Sequence, residues 1–233
     1  MVAVSLLFQY IRSLSRGTAV ERVSPQRTGG RFGAWDPEVP LREQRFLVLD
    51  CETTGLMHWN GDRIMSLAAV RLEKGEINPE YFNTLVNPQR DVPSLAADIT
   101  GLSGPMLLEQ PLLQEVLPEF LDFAQGGIIT GFNVGFDLAF LNAELQDHGR
   151  EPFCAAHSLD VFVLARLLYP NCRQRSLEDL AQDYGVPVEG RHTALGDAVM
   201  AARLLQAMLA HLEQKRVHTL QDLADFLSYC RLF

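Results

Sequence analysis

The chain has 233 residues, 47% hydrophobic and 21% charged, which excludes a disordered or fibrous protein and leaves material for one substantial core. With 20 Lys and Arg against 29 Asp and Glu, the formal charge of −9 excludes coating of duplex nucleic acid by bulk charge, although a small local nucleic-acid site is still compatible with it. Cys51, Cys154, Cys172 and Cys230 are far apart and form no CxxC pair, against a zinc knuckle or disulfide scaffold and in favour of a reducing, cytoplasmic setting. No apolar run approaches the roughly eighteen residues that mark a membrane span.

In chain order, residues 1–45 carry seven Arg and four acids, about +3, which leaves about −12 for the remainder. Leu6, Leu7, Tyr10, Ile11 and Leu14 recur at three and four, so an amphipathic helix is predicted over the first fifteen residues, followed by a linker over 15–40 that bears Gly, Ser and Pro. Residues 1–44 therefore read as an N-terminal extension. An organellar presequence is a rival reading because the first acid is Glu21; Gln9 and Arg12 break the apolar stretch that a secretory signal needs. Phe46-Leu-Val-Leu-Asp-Cys predicts a strand buried on both faces. Two further strands are predicted over 64–72 and 81–86, separated by the Glu73-Lys74-Gly75-Glu76 turn, so the sheet begins antiparallel. A helix is predicted over 116–124, with Pro118 acceptable only in its first turn, and a short inner strand over 128–130. Apolar spacing predicts helices over 136–148, 161–169, 177–184, 194–212 and 220–229, with Gly149, Pro170 and Gly185 ending three of them. Strands first and helices after give an α/β fold, a mixed sheet flanked by helices, in a domain over 45–214 with a short helical segment over 215–233.

Three segments concentrate chemistry. Asp50-Cys51-Glu52-Thr53-Thr54-Gly55 stands where the first strand ends, and residues two apart share a face, so Asp50 and Glu52 present two carboxylates together. A hard divalent cation would neutralise that pair; a polar strand end would also explain it. Thr130-Gly-Phe-Asn-Val-Gly-Phe-Asp137 opens a helix, where Asp137 suits the helix dipole and Asn133 beside Phe136 offers a hydrogen-bonding group and an aromatic face. In Arg191-His-Thr-Ala-Leu-Gly-Asp197, Thr193 is the predicted N-cap, with Asp197 one turn into the helix and His192 just before it. Each segment alone also suits a purely structural role. Together, four acids and one His form a set suited to divalent cations with a base nearby.

This order of motifs resembles the DEDD exonuclease superfamily, in the subclass whose third motif carries a histidine, and is closest in style to the proofreading epsilon-subunit type of bacterial DNA polymerase III. The resemblance spans residues 45–212 and includes Ile99-Thr100-Gly101-Leu102 as a substrate-loop motif and Ser158-Leu159-Asp160 as a later strand. It implies a ribonuclease H-like fold, a 3′-to-5′ exonuclease that releases nucleoside 5′-monophosphates, and two Mg²⁺ ions, replaceable by Mn²⁺, on Asp50, Glu52, Asp137 and Asp197. By the same likeness His192 is the general base, and Thr53, Thr54, Gly55, Leu56, Ile99, Thr100, Asn133 and Phe136 bind substrate. Implied partners are single-stranded DNA 3′ ends, with RNA as an alternative, and a DNA polymerase or another replication or repair protein, with no membrane. Phe132 and Thr100 stand where many relatives carry His, which touches the nucleotide pocket and leaves the metal set intact. Asp160 is read as a helix-capping or supporting acid because four carboxylates are already supplied. An exoribonuclease acting on short RNA and an inactive nucleic-acid-binding scaffold are the competing functions. A scaffold gives no reason to keep five mutually repelling or titrating groups, and a glycosidase pair would not use Asp137, Asp197 and His192 together.

Overall fold

The computed structural model describes residues 39–153, 158–168 and 175–230. The helix expected in the first fifteen residues, nearly all of the linker and the stop at Pro170 lie outside the described residues. Among the described residues the sheet has five strands in the order β3-β2-β1-β4-β5: β1 Arg45–Thr53, β2 Ile64–Glu73, β3 Glu76–Leu85, β4 Ile128–Gly131 and β5 Leu159–Asp160. The first three pair antiparallel, and β4 and β5 join parallel to β1 and to each other, the mixed sheet that the strand pattern predicts.

Lys74 and Gly75, at φ 53° and 77°, make the two-residue turn between β2 and β3, and this left-handed backbone conformation matches the right-handed twist of the flanking strands. β3 starts five residues before its predicted beginning. It is the edge strand, with only Phe82 buried, and it tolerates Pro79, so Glu76, Asn78, Pro79 and Glu80 conceal it from an apolar pattern.

Helices cover both faces: α1 Ser94–Thr100, α2 Gly104–Leu107, α3 Leu113–Phe123, α4 Gly135–Asp147, α5 Val161–Leu168, α6 Leu177–Asp183, α7 Ala194–Gln214 and α8 Leu220–Cys230. Alternation along β1 divides the core. Phe46 and Val48 point to one face, where they meet Met200, Leu204 and Met208 of α7; Leu47, Leu49 and Cys51 point to the other, against Leu117 and Phe120 of α3 and Leu138 and Leu141 of α4. By the same alternation Asp50 and Glu52 belong to the α7 face.

One expectation about the helices needs correction. Pro118 lies at the sixth residue of α3, because the helix begins one turn earlier, at Leu113, where the Glu115 carboxylate accepts the Leu112 N–H at 2.8 Å. An interior proline costs about 3 kcal/mol. Buried Val116, Leu117, Phe120 and Leu121 on the same helix contribute roughly 1.5–3 kcal/mol each, which outweighs it. The segment over 94–103, which carries the substrate-loop motif, forms the short helix α1 and leads into α2, with Ala96 of α1 and Leu107 of α2 packed on Met65 near the start of β2. No helix among the described residues is long and apolar enough to cross a membrane.

Candidate active site

The acids converge because the sheet delivers them to one end. β4 pairs with β1 only as far as Val48, so the N–H of Cys51, on the side of β1 that faces β4, has no strand partner there. Asp137, in the first turn of the helix that follows β4, supplies the acceptor: its Oδ1 receives the Cys51 N–H at 2.8 Å. From the α7 face comes Asp197, four residues into its helix. One carboxylate oxygen from each of Asp50, Glu52 and Asp197 lies within 4.8 Å of the others. The crevice outside the carboxyl ends of parallel strands is the usual ligand position in open α/β sheets.

Burial, with the neighbouring acids, raises the affinity of Asp50, Glu52 and Asp137 for protons. The Asp50 carboxyl is pushed well above the usual carboxylate range by burial first, then by Asp137, Asp197 and Glu52, with Arg191 opposing. Burial and then Asp197 push Glu52 up to about 7. Asp137 is pushed up to about 8 by burial, against the hydrogen bond from Cys51. Such a site favours a multivalent cation over protons, because the ion's charge inverts the local electrostatics. A second observation agrees: Asp197 Oδ1 is buried with no hydrogen-bond partner among the described residues. All the donors are carboxylate oxygens, the set preferred by Mg²⁺ and Mn²⁺.

The other predicted site residues divide by position. His192 is exposed on the loop before α7, apart from the carboxylate triple, with φ at 59°. Asn133 is also left-handed at φ 57°, and its N–H reaches Asp160 Oδ1 at 3.1 Å. Left-handed non-glycine backbone concentrates at functional sites, and both residues had been singled out by sequence. Asp160 also accepts the Phe162 N–H at 2.9 Å, so it caps α5 as expected; burial pushes it to about 6. Leu56 is 74% exposed and Ile99 49%. Phe136 packs on Phe140 with ring centroids 4.9 Å apart.

Four predicted substrate residues also make structural contacts within their own loops. Thr54 is buried, and its Oγ1 accepts the Arg63 N–H at 3.0 Å. A Cβ on Gly55 would lie 2.3 Å from Asp62 Oδ2, so the glycine makes room for that carboxylate. Thr100 Oγ1 donates to the Ala96 carbonyl at 2.8 Å and accepts the Leu102 N–H at 3.1 Å, closing the end of α1. Thr53 Oγ1 donates to the Gly55 carbonyl at 2.6 Å, again within the loop.

Arg191 has a place that sequence reasoning gave it no reason to hold. Its Nη1 donates to Asp197 Oδ2 and its Nε to Glu178 Oε1 at 2.6 Å, a cation set between the cluster and α6. Its only signal in the sequence is adjacency to His192. Gly196 permits the loop to lie so close, since a Cβ there would meet the Gly190 carbonyl oxygen at 2.0 Å.

A ribonuclease H-like sheet with carboxylates gathered at the end of its central strand defines the class. The RNase T model, described as an exonuclease, matches residues 47–205, and the chain belongs to that exonuclease family. It is 36% identical over 192 residues to a DNA polymerase III subunit epsilon of Aquifex aeolicus, covering 82% of this chain and 91% of that one. To a DNA polymerase III subunit epsilon-like protein of Rhodobacter capsulatus it is 35% identical over 185 residues, covering 78% of this chain but 26% of that longer protein. In fold it is similar to the zinc-bound E. coli ExoI–ssDNA complex, with a TM-score of 0.62 at 21% identity, covering 75% of this chain and 42% of that one.

Proposed function

We propose that the chain is a metal-dependent 3′-to-5′ exonuclease that hydrolyses the terminal phosphodiester of single-stranded or frayed DNA and releases nucleoside 5′-monophosphates. The observation that carries this is the convergence of Asp50, Glu52 and Asp197 within 4.8 Å, with a buried, unpartnered Asp197 oxygen, in a chain of the exonuclease family. Asp50, Glu52, Asp197 and, beside them, Asp137 would hold two Mg²⁺ or Mn²⁺ ions. Bound there, the ions supply Lewis-acid stabilisation of charge on the scissile phosphate and on the leaving 3′ oxygen.

The protein's own residues do the rest. His192, exposed on its loop, takes the proton of the attacking water at an imidazole nitrogen and later returns it to solvent; such contacts often tighten only when substrate is bound. Leu56 and Phe136 present apolar surface to the terminal base. Asn133, held left-handed by Asp160, lies beside Phe136 at the opening of α4. Thr53, Thr54 and Gly55 shape the loop that carries Leu56, while Ile99 and the helix ended by Thr100 border the same end of the sheet. The epsilon name of the Aquifex aeolicus relative supports a place in proofreading or repair beside a DNA polymerase, in the cytoplasm.

The test is incubation of end-labelled single-stranded DNA and RNA of equal sequence with Mg²⁺, Mn²⁺ or EDTA. Metal-dependent stepwise loss from the 3′ end of DNA, abolished by Asp50→Ala, is the expected result. Faster loss from RNA would move the assignment to an exoribonuclease. Nucleic-acid binding without hydrolysis would leave a scaffold, and retained activity in Asp50→Ala would overturn the metal assignment.

A further inference from the structure

The loop between β1 and β2, residues 54–63, leaves the acid-bearing strand and displays large apolar side chains to water. Leu56 is 74% exposed, Met57 49% and Trp59 74%. This display is held in place. Asp62 Oδ2 accepts the Met57 N–H at 3.0 Å, its Oδ1 pairs with Arg90 at 3.0 Å, and the loop is closed by the Thr54 N–H on the Arg63 carbonyl at 2.9 Å. The Asn60 and Gly61 N–H groups bond back to Met57 and His58 carbonyls at 2.9 and 3.1 Å. The bonded turn fixes the backbone from which Trp59 projects into water.

Its neighbours link it to the candidate active site. The Trp59 ring meets His58 edge-on at 5.1 Å, His58 meets Phe140 at 5.6 Å, and Phe140 meets Phe136 at 4.9 Å. An aromatic line thus runs from the terminal-base position to the loop tip. A protein of net charge −9 has little bulk electrostatic attraction for a polyanion, whereas stacking binds bases irrespective of charge and sequence.

We propose that the tip of this loop, with Trp59 as its main element, is a stacking platform for unpaired bases upstream of the terminal nucleotide. This rests on the exonuclease reading and adds a second subsite to it, one that favours single strands because paired bases do not offer their faces. The occupant is a single-stranded nucleic acid.

Two measurements test it. Trp35→Phe leaves Trp59 as the sole tryptophan. In EDTA, short oligo(dT) should quench its fluorescence saturably, and Trp59→Ala should weaken oligo(dT) binding, followed by anisotropy, about 10-fold, within the range for loss of one base stack; Trp59→Phe should fall between. With Mg²⁺, Trp59→Ala should raise KM for oligo(dT) by a similar factor and leave unchanged the hydrolysis of the p-nitrophenyl ester of thymidine 5′-monophosphate, which fills only the terminal site. Absence of quenching with unchanged affinity would overturn the platform, as would an altered oligomeric state with unchanged oligo(dT) binding. If the wild type hydrolyses neither substrate, the exonuclease reading fails, and the EDTA titration still decides the platform.

Discussion

Glu52→Gln separates the electrostatic strain of the carboxylate cluster from its use in turnover. In the folded chain burial and Asp197 push this carboxyl from 4.5 up to about 7. A raised folded-state value means that the native state binds the proton more tightly than the unfolded chain. The associated stability is complete below about pH 4.5 and is lost as pH rises through about 7. At about 1.4 kcal/mol per unit the shift corresponds to about 3 kcal/mol. Glu52 is only half-buried, so solvent screening reduces this to roughly 1–2 kcal/mol. For a domain of this size that is about 2–8 °C in Tm. The assay is thermal melting of metal-free wild type and variant in EDTA, from about pH 4 to pH 9. The variant should gain on the wild type progressively above about pH 5 and level off near pH 8, while losing nuclease activity. Mg²⁺ should then stabilise the wild type more than the variant at the alkaline end. Parallel melting curves across the whole range would refute the claim that Glu52 is strained by its neighbours.

Other outcomes follow from single contacts. His192→Ala should lower turnover by about 10²- to 10⁴-fold with Mg²⁺ affinity kept, and an unaltered pH–rate profile would argue against a base. Asp160→Ala removes the acceptor for the Phe162 and Asn133 N–H groups and should reduce stability by about 0.5–2 kcal/mol in urea titration. Gly196→Ala places a methyl 2.0 Å from the Gly190 carbonyl oxygen, and because backbone must move, a loss of about 1–3 kcal/mol with weaker Mg²⁺ binding is expected by calorimetry.

What was legible in the sequence was what is local. Alternation along β1 places Asp50 and Glu52 on one face, and the spacing of Met200, Leu204 and Met208 at every fourth residue lays α7 on that face, so the meeting of Asp197 with the pair could be anticipated. Edge and contact effects were not legible. β3 hid behind polar residues because an edge strand has no need of apolar ones. Pro118 argued for a short helix, while the stabilising partners of a longer one, Phe82 among them, lie elsewhere in the chain. The resemblance assigns Thr54 and Gly55 to substrate, and nothing local reveals that Asp62 also fills the space against them. The guanidinium of Arg191 on Asp197 and the exposed ring of Trp59 likewise become visible only once the loops are placed.

The carboxylates come from β1, from the helix after β4 and from α7, separated by most of the domain's length. A ribosome-bound chain that has not yet produced α7 has only part of the cradle, and a proteolytic remnant without that helix is in the same position. The proposed nuclease activity is thereby tied to completion of the fold, a safeguard that needs no inhibitor.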